Sequence, residues 1–174
     1  MSSRITITVA GEPQSQDRRT RQLRTKGGRV FSGTYLLAET REWREKILFA
    51  ARRHPDFPRD PWDGPIRVSI EAFFPRPKAM CAKKHPRGAI RKNTKPDADN
   101  LVKAVLDALT PPRAKRVTTE AERAVLRKGY MWIDDGQVHL GTVDRWYHGI
   151  DAGPGVIITI ERIGEAKAME VERE

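Results

Sequence analysis

The sequence predicts an α/β (α+β) protein, in which helices pack on a small mixed β-sheet. Strand-like segments, in which apolar residues alternate with polar ones, lie at 4–10, 66–74, 137–147 and 155–163. Two longer segments, 34–53 and 97–109, repeat apolar residues every three or four positions. Alternation is typical of half-buried strands, and the longer spacing is typical of amphipathic helices.

Length and composition predict one domain over 1–174 with a polar tail from about residue 164. Hydrophobic residues make up 38% and charged residues 32%, which favours a folded soluble chain over a disordered one. No apolar run is long enough to span a membrane, and the first residues read as a strand, without a signal peptide's apolar core. A single cysteine, Cys81, fits a reducing compartment. We therefore expect a cytoplasmic protein.

The net charge of +10 and the pI near 10.1 favour a polyanionic partner, most often nucleic acid. Much of this charge lies in two segments. The segment 14–30 has no apolar period, so we predict a mobile basic loop that follows a phosphate backbone. Its candidate contacts are Arg18, Arg19, Arg21, Arg24 and Lys26. A solvated loop without a partner is the alternative.

The second basic segment follows the strand 66–74, which Pro75 and Pro77 end. It has eight basic side chains and no acidic ones: Arg76, Lys78, Lys83, Lys84, Arg87, Arg91, Lys92 and Lys95. This run directly precedes an acidic cluster that begins at Asp97. Because carboxylates repel phosphate, a nuclease that holds metal ions on such a cluster needs cations nearby. The run therefore predicts a nucleic-acid contact, and a flexible surface loop is the alternative.

The helix at 97–109 begins in an acidic cluster, Asp97 and Asp99, just after Pro96. One aspartate could cap the helix by accepting backbone N–H bonds, which would be a purely structural role. Lys103 lies four residues from both Asp99 and Asp107, so i,i+4 ion pairs would also explain it without catalysis.

A polar, basic stretch with a short helix from about Thr119 to Arg127 connects this helix to a second acidic pair, Asp134 and Asp135. The pair precedes Gly136, so a β-turn is the simple interpretation.

The alternative to these structural roles is a metal site. Mg²⁺ takes oxygen ligands, and a few aspartates from different segments are enough to anchor it. Asp97 and Asp99 share a side if the chain is still extended there. Asp135, with Asp134 beside it, would come from the other segment. Such ions activate water and stabilise charge during phosphodiester cleavage, and Lys103 could stabilise the leaving oxygen. Spacing alone is a weak signal, but phosphate-loop, dinucleotide and zinc motifs are missing from the sequence.

Two phrases make the assignment more specific. They are Lys95-Pro96-Asp97-Ala98-Asp99-Asn100-Leu101-Val102-Lys103-Ala104-Val105-Leu106-Asp107-Ala108-Leu109 and Trp132-Ile133-Asp134-Asp135-Gly136-Gln137-Val138. In this order, they resemble the RusA family of Holliday junction resolvases. The resemblance implies a homodimeric α/β endonuclease, often encoded by phages or prophages, that cuts four-way DNA junctions with Mg²⁺, for which Mn²⁺ would substitute. It places Asp97, Asp99 and Asp135 at metal-binding positions and Lys103 at the catalytic lysine position, with Asp134 as a neighbouring acidic group.

One departure is the segment between Leu109 and Tyr130, which is longer and more basic than the family's usual connection. It leaves the junction specificity open, more than the nuclease chemistry. The alternatives are a nuclease for other branched or flapped DNA and a DNA-binding protein without catalysis. A two-fold dimer suits the leading hypothesis, because resolving a junction takes two symmetric nicks.

Overall fold

In a computed structural model of the protein, residues 4–16, 18–112 and 119–164 are described, with residues 18–21, 23, 31 and 34 described by backbone alone. The strands are β1 (Arg4–Ala10), β2 (Arg18–Arg24), β3 (Val30–Leu36), β4 (Ile66–Phe74), β5 (Ile90–Arg91), β6 (Val138–Tyr147) and β7 (Gly155–Arg162). The helices are α1 (Ala38–Arg52), α2 (Ala98–Leu109) and α3 (Glu120–Arg127).

Five strands form one mixed sheet in the order β1–β7–β4–β6–β5. All neighbouring strands run antiparallel except β4 and β6, which run parallel. The chain between β4 and β6 contains α2, as a parallel pair requires a long crossover connection. The predicted fold class, a mixed sheet with packed helices, is confirmed.

The hydrophobic core lies between one face of this sheet and helices α1 and α2. Alternate residues of β4 are buried, from Ile66 to Phe74, and β1 buries Ile5, Ile7 and Val9 in the same way. Burying each such aliphatic side chain stabilises the fold by roughly 1.5–3 kcal/mol. The predicted strand at 66–74 and the apolar stripe of α2 are therefore confirmed as core elements.

The predicted basic loop at 14–30 is wrong in its main part. Strands β2 and β3 pair antiparallel to form a two-stranded sheet, and Gly28 (φ +79°) lies in the turn between them. Its contacts are almost all between its own strands. No apolar period marks the hairpin in the sequence: strand alternation reflects burial on one face, and the hairpin side chains that the structure describes are exposed or half-buried. The side chains of Arg18, Arg19 and Arg21 lie outside the described part of the chain.

The remaining element bounds differ from the sequence prediction by a few residues. Helix α1 begins at Ala38, because residues 34–36 belong to β3. Helix α3 begins after Thr119, whose side chain accepts a hydrogen bond from the Glu122 N–H in a capping box. The basic segment 76–95 is irregular apart from a 3₁₀ turn at Lys78–Cys81 and the short strand β5. The predicted tail beyond residue 164 lies outside the described residues.

Among the helices in the described ranges, none is long and apolar enough to cross a membrane.

Candidate active site and nucleic-acid interface

The first acidic pair lies at the N-terminus of α2. Asp97 is the N-cap residue with an extended backbone (φ −69°, ψ 149°), but its side chain makes no capping hydrogen bond. Asp99 is the second residue of the helix, and both side chains are exposed. The extended entry predicted for the pair therefore ends at Asp97, and Asp99 is already helical. The capping role does not account for Asp97.

The segment before Asp97 is held by the neighbouring strand β6. Arg145 donates through Nη1 to the carbonyl oxygens of Thr94 (3.1 Å) and Pro96 (2.6 Å). Lys92 donates through Nζ to Thr94 Oγ1 (2.5 Å) and to the Lys95 carbonyl. The backbone that leads into the acidic pair is thus fixed, whereas neither carboxylate has a hydrogen-bond or ion-pair partner among the described residues.

Lys103 follows one turn after Asp99, and its side chain is exposed. It forms no ion pair with a described residue, so the two i,i+4 bridges considered from the sequence do not form. Asp107 instead pairs with Arg44 of α1, at 3.7 Å between Oδ2 and Nη1. Arg44 also donates through Nη2 to the Asp107 carbonyl at 2.5 Å. Lys103 therefore adds a positive charge, without an ion-pair partner among the described residues, to the helix that carries the first acidic pair.

The second acidic pair lies in a tightly bonded turn before β6. The Asp134 side chain accepts from the Gly136 N–H at 2.8 Å, in a capping box with Gln137. The Oε1 atom of Gln137 accepts from the N–H groups of Ile133 and Asp134, both at 2.9 Å. Its Nε2 atom donates to the carbonyls of Trp62 (3.1 Å) and Gly64 (2.9 Å). One amide side chain therefore fixes the backbone of this turn.

Asp135 itself contacts the far end of α2. Its Oδ1 atom accepts a hydrogen bond from the hydroxyl of Thr110, the C-cap residue of that helix. Helix α2 has 12 residues, so at about 1.5 Å per residue its two ends lie roughly 18 Å apart. The two acidic pairs therefore lie at opposite ends of one helix within a single chain.

This separation decides how far the described residues fit a metal ion. In the ranges that the structure describes, no three His, Cys, Asp or Glu side chains are grouped so that they could hold one. Mg²⁺ bound by protein needs carboxylates that converge to within about 4 Å of each other, since its ligand distances are about 2.0–2.1 Å. A single chain thus does not bring Asp97, Asp99 and Asp135 together.

A cleft of about 920 Å³ lies between α1, α2 and α3. Lys103, Asp134 and Asp135 line one part of it, and Thr110 lies beside them. Four arginines, Arg41, Arg44, Arg123 and Arg127, line it as well. The cleft thus collects positive side chains from three helices around the lysine and the second acidic pair.

The basic side chains predicted to bind nucleic acid divide into exposed and buried groups. Arg24 and Lys26 on the hairpin are exposed, as are six residues of the second segment: Lys78, Lys83, Lys84, Arg87, Arg91 and Lys95. Two of these six already have acidic partners, Asp151 for Arg87 (2.9 Å) and Asp144 for Arg91 (2.7 Å).

Arg76 and Lys92 are each only 9% exposed. Arg76 donates to the carbonyls of Pro86 (2.7 Å), Gly88 and His148 (3.1 Å). The Lys92 ammonium lies about 5 Å from the rings of Phe74 and Tyr147. Both cations therefore organise the basic segment from within, and little of either side chain is exposed to a partner.

Comparison with known families decides the relationship. The family model described as endodeoxyribonuclease RusA matches residues 10–117, which is well over half of the chain. The chain belongs to the RusA endodeoxyribonuclease family.

The resemblance that the two phrases indicated is confirmed. The matched range includes Asp97, Asp99 and Lys103 and ends before Asp134. Membership of the RusA family implies a nuclease that acts on branched DNA, as Holliday junction resolvases do.

A similar protein supports this relationship without adding an activity. The uncharacterized protein YqaN of Bacillus subtilis (strain 168) is 32% identical over 110 residues. The aligned part covers 60% of this chain and 73% of YqaN.

Sequence reasoning missed the residues that orient the acidic pairs of this RusA-family protein. Gln137 and Thr110 hold the second pair, and Arg145 holds the segment before the first. Gln137 carried a signal, since Asp134 and Gln137 have capping-box spacing. Arg145 and Thr110 carried none, because their partners are 49 and 25 positions away in the chain.

Proposed function

We propose that this RusA-family protein is a Mg²⁺-dependent, structure-selective endonuclease that resolves four-way DNA junctions by paired symmetric nicks. Mn²⁺ is expected to substitute for Mg²⁺. The observation that carries the proposal is the N-terminal turn of α2, where two exposed carboxylates and a lysine have no partner among the described residues. Both carboxylates favour the N-terminus of the helix through its dipole, but without a described partner they also suit a ligand that brings positive charge.

We assign roles to these side chains on that basis. Asp97, Asp99 and Asp135 are the proposed metal ligands, with Asp134 beside them. Lys103 is proposed to stabilise the negative charge that develops on the phosphate and on the leaving oxygen. Its ammonium suits that task because no described carboxylate neutralises it.

The exposed cations of the hairpin and of the segment 78–95 are the proposed contacts to DNA phosphates. Both segments are free of acidic residues, so they can approach a polyanion without repulsion. The proposal places the protein in the bacterial cytoplasm, where junctions arise in recombination and repair, and it is compatible with a phage or prophage origin.

A homodimer is part of the proposal. Within one chain, the two acidic pairs lie at opposite ends of α2, so a metal site that uses both pairs takes them from two copies. Strand β6 offers a surface for such an association. From Val138 to Val143, its edge away from β4 pairs with no other described strand, and the exposed Leu140 lies there. Unpaired strand edges form additional sheet pairs readily.

Antiparallel self-pairing of this edge would bring the start of one β6 towards the end of the other. Asp134 and Asp135 precede the start of β6, and Arg145, which holds Pro96, lies near its end. The second pair of one copy would then approach the first pair of its partner. A two-fold axis also presents two equivalent sites to the two strands that must be nicked.

The test of this function is cleavage of a labelled synthetic four-way junction, with and without Mg²⁺, beside a linear duplex and a flap. Paired nicks confined to the junction are the expected result. Cleavage of the flap instead would retain the nuclease and change its substrate. Junction binding without cleavage in Mg²⁺ or Mn²⁺ would favour a non-catalytic DNA-binding protein.

A further inference from the structure

We propose that Thr110, with the indole of Trp132, is a positioning residue that sets the direction of the Asp135 carboxylate. The inference rests on the proposed function, in which Asp135 is a site residue. It concerns residues to which neither the family match nor the sequence motifs give a role.

The contacts form a short chain of hydrogen bonds. The Nε1 atom of Trp132 lies 2.7 Å from Thr110 Oγ1, and the same oxygen contacts Asp135 Oδ1. Chemistry fixes the direction of both bonds. An indole N–H can only donate, so the hydroxyl oxygen accepts from it, and a carboxylate oxygen accepts, so the hydroxyl is the donor in its contact with Asp135. The Leu106 carbonyl, 2.8 Å from the hydroxyl oxygen, competes for that proton.

The donor end of this series of hydrogen bonds, Trp132 and Thr110, is rigidly held. Trp132 is fully buried, and its backbone bridges to Trp62. Thr110 carries two heavy atoms on Cβ, and this branching restricts its χ1 angle. The hydroxyl is therefore presented to Asp135 from a fixed point rather than from a mobile surface side chain.

The hydrogen bond from Thr110 restricts the one motion that the turn leaves to Asp135, rotation of its side chain. Gln137 fixes the backbone of the turn through four hydrogen bonds. What is left is rotation of the Asp135 side chain about its own bonds. The Thr110 hydroxyl holds one carboxylate oxygen towards α2 and leaves the other for a ligand in the cleft that Lys103 also lines.

The helix terminus by itself does not favour a carboxylate at this place. The C-terminus of a helix carries a partial negative charge, which disfavours a carboxylate placed there. The cleft beside it has charges of both signs: Asp107 and Asp134 line it, and so do Lys103 and the four arginines. A carboxylate held at such a place by a dedicated hydroxyl is typical of a functional group that is kept in position by its neighbours.

The experiment compares three variants of the full-length protein. Thr110→Val keeps the shape and removes the hydroxyl, Thr110→Ser keeps the hydroxyl, and Thr40→Val is the matched control. Thr40 is buried and, like Thr110, donates its hydroxyl to a carbonyl, that of Ser15 at 3.2 Å, and this bond involves neither Asp135 nor the turn that holds it. Junction cleavage gives kcat and KM, and thermal unfolding gives Tm.

We expect Thr110→Val to lower kcat by about 10–100-fold with KM within about twofold. Thr110→Ser should stay within about threefold of the wild type in kcat, and Thr40→Val should lower Tm without changing kcat. Wild-type kcat in folded Thr110→Val would overturn the inference, and so would equal losses in Thr110→Val and Thr110→Ser. If Thr110→Val does not fold, Trp132→Phe is the substitute, because it removes the indole N–H donor and keeps an aromatic ring. Wild-type kcat in that variant would overturn the inference.

A second measurement does not depend on activity. The ¹³C signal of the Asp135 carboxyl group, recorded without divalent ions, should shift in Thr110→Val and not in Thr40→Val. An unchanged signal in both variants overturns the inference. If the wild type cleaves no DNA, the proposed function fails while this signal still tests the contact. If the wild type cleaves and Asp135→Asn does not, only the Thr110 variants decide the inference.

Discussion

The two acidic pairs at the ends of helix α2 are held in opposite ways. Asp97 and Asp99 have a fixed backbone, secured by Arg145 and Lys92, and side chains without a described partner. Asp134 and Asp135 have their carboxylates bonded, to Gly136 N–H and to the Thr110 hydroxyl. The first pair therefore has a fixed backbone but no described counter-charge, whereas hydrogen bonds hold the carboxylates of the second pair in a defined direction. The difference suits the proposed function, in which a bound metal ion supplies the counter-charge at the first pair.

The sharpest way to break this comparison is to remove one unpaired carboxylate. Asp99→Asn should reduce junction cleavage by more than about 100-fold, because loss of a metal ligand costs more than loss of a group behind it. Junction binding should be kept or improved, since the change removes a charge that repels phosphate. Gel-shift and cleavage assays on the same junction check both. Wild-type activity would remove Asp99 from the mechanism.

Mixing two inactive chains tests whether the two pairs act together across a dimer. If a site takes Asp99 from one copy and Asp135 from the other, mixed dimers of Asp99→Asn and Asp135→Asn contain one intact site. The mixture should then nick one strand of a junction, although each variant alone nicks none. A mixture as inactive as its components would place both pairs in the same chain's site, or make the protein a monomer. Sedimentation of the wild type separates these two outcomes.

The next variant tests Lys103, the exposed lysine one helical turn after Asp99, which has no described ion-pair partner. Lys103→Ala should lower kcat by about 10²–10³-fold, the usual loss when one group that stabilises transition-state charge is removed. Its Tm should not change, because Lys103 is exposed and forms no described ion pair. Lys46→Ala, an exposed lysine on α1, is the matched control. A fall in Tm with kcat intact would restore a purely structural role for Lys103.

Replacing the residues that hold the two pairs, Arg145 and Gln137, should have a smaller effect on cleavage and an unequal effect on stability. Arg145→Ala removes the bonds to Thr94 and Pro96, and Gln137→Ala removes four bonds around the second pair. Each should lower kcat by about 10–100-fold. Gln137→Ala should also destabilise the fold by about 1–3 kcal/mol, because it leaves half-buried backbone groups unpaired. Chemical denaturation measures the free energy of unfolding, and single-turnover cleavage measures the rate of the chemical step. Equal losses of stability in Arg145→Ala and Gln137→Ala would contradict the difference between the two pairs.

The smallest effect concerns the basic segments. Junction affinity should fall steeply with salt, and a nearly flat dependence would contradict phosphate binding by these segments. Replacing both Arg24 and Lys26 by Ala should lower the slope of log K against log salt by about one for each phosphate that is no longer neutralised. Lys92→Ala should lower Tm and leave the slope unchanged, since its ammonium is buried between two rings. Titrations at several salt concentrations compare the variants.

The elements that bury a regular face were predictable from the sequence. Strand β4 and the apolar stripe of α2 match their predicted ranges closely, because their periodicity is the direct trace of burial on one side. The hairpin β2–β3 was not predictable in this way, since it shows no apolar alternation and its described side chains are exposed or half-buried. The exposure of the basic residues was also beyond the sequence. Arg76 and Lys92 look like their neighbours in composition, yet both are buried.

The sequence by itself determined the chemistry of the candidate site: the residue types at Asp97, Asp99, Lys103 and Asp135 and the family phrases that contain them. Spacing along the chain could do this because these residues lie within short motifs. Only the tertiary structure decided that the pairs lie at opposite ends of one helix, and which side chains hold them. Those relations join positions far apart in the chain, and a hydrogen bond such as that from Thr110 to Asp135 depends on the packing that brings its two ends together.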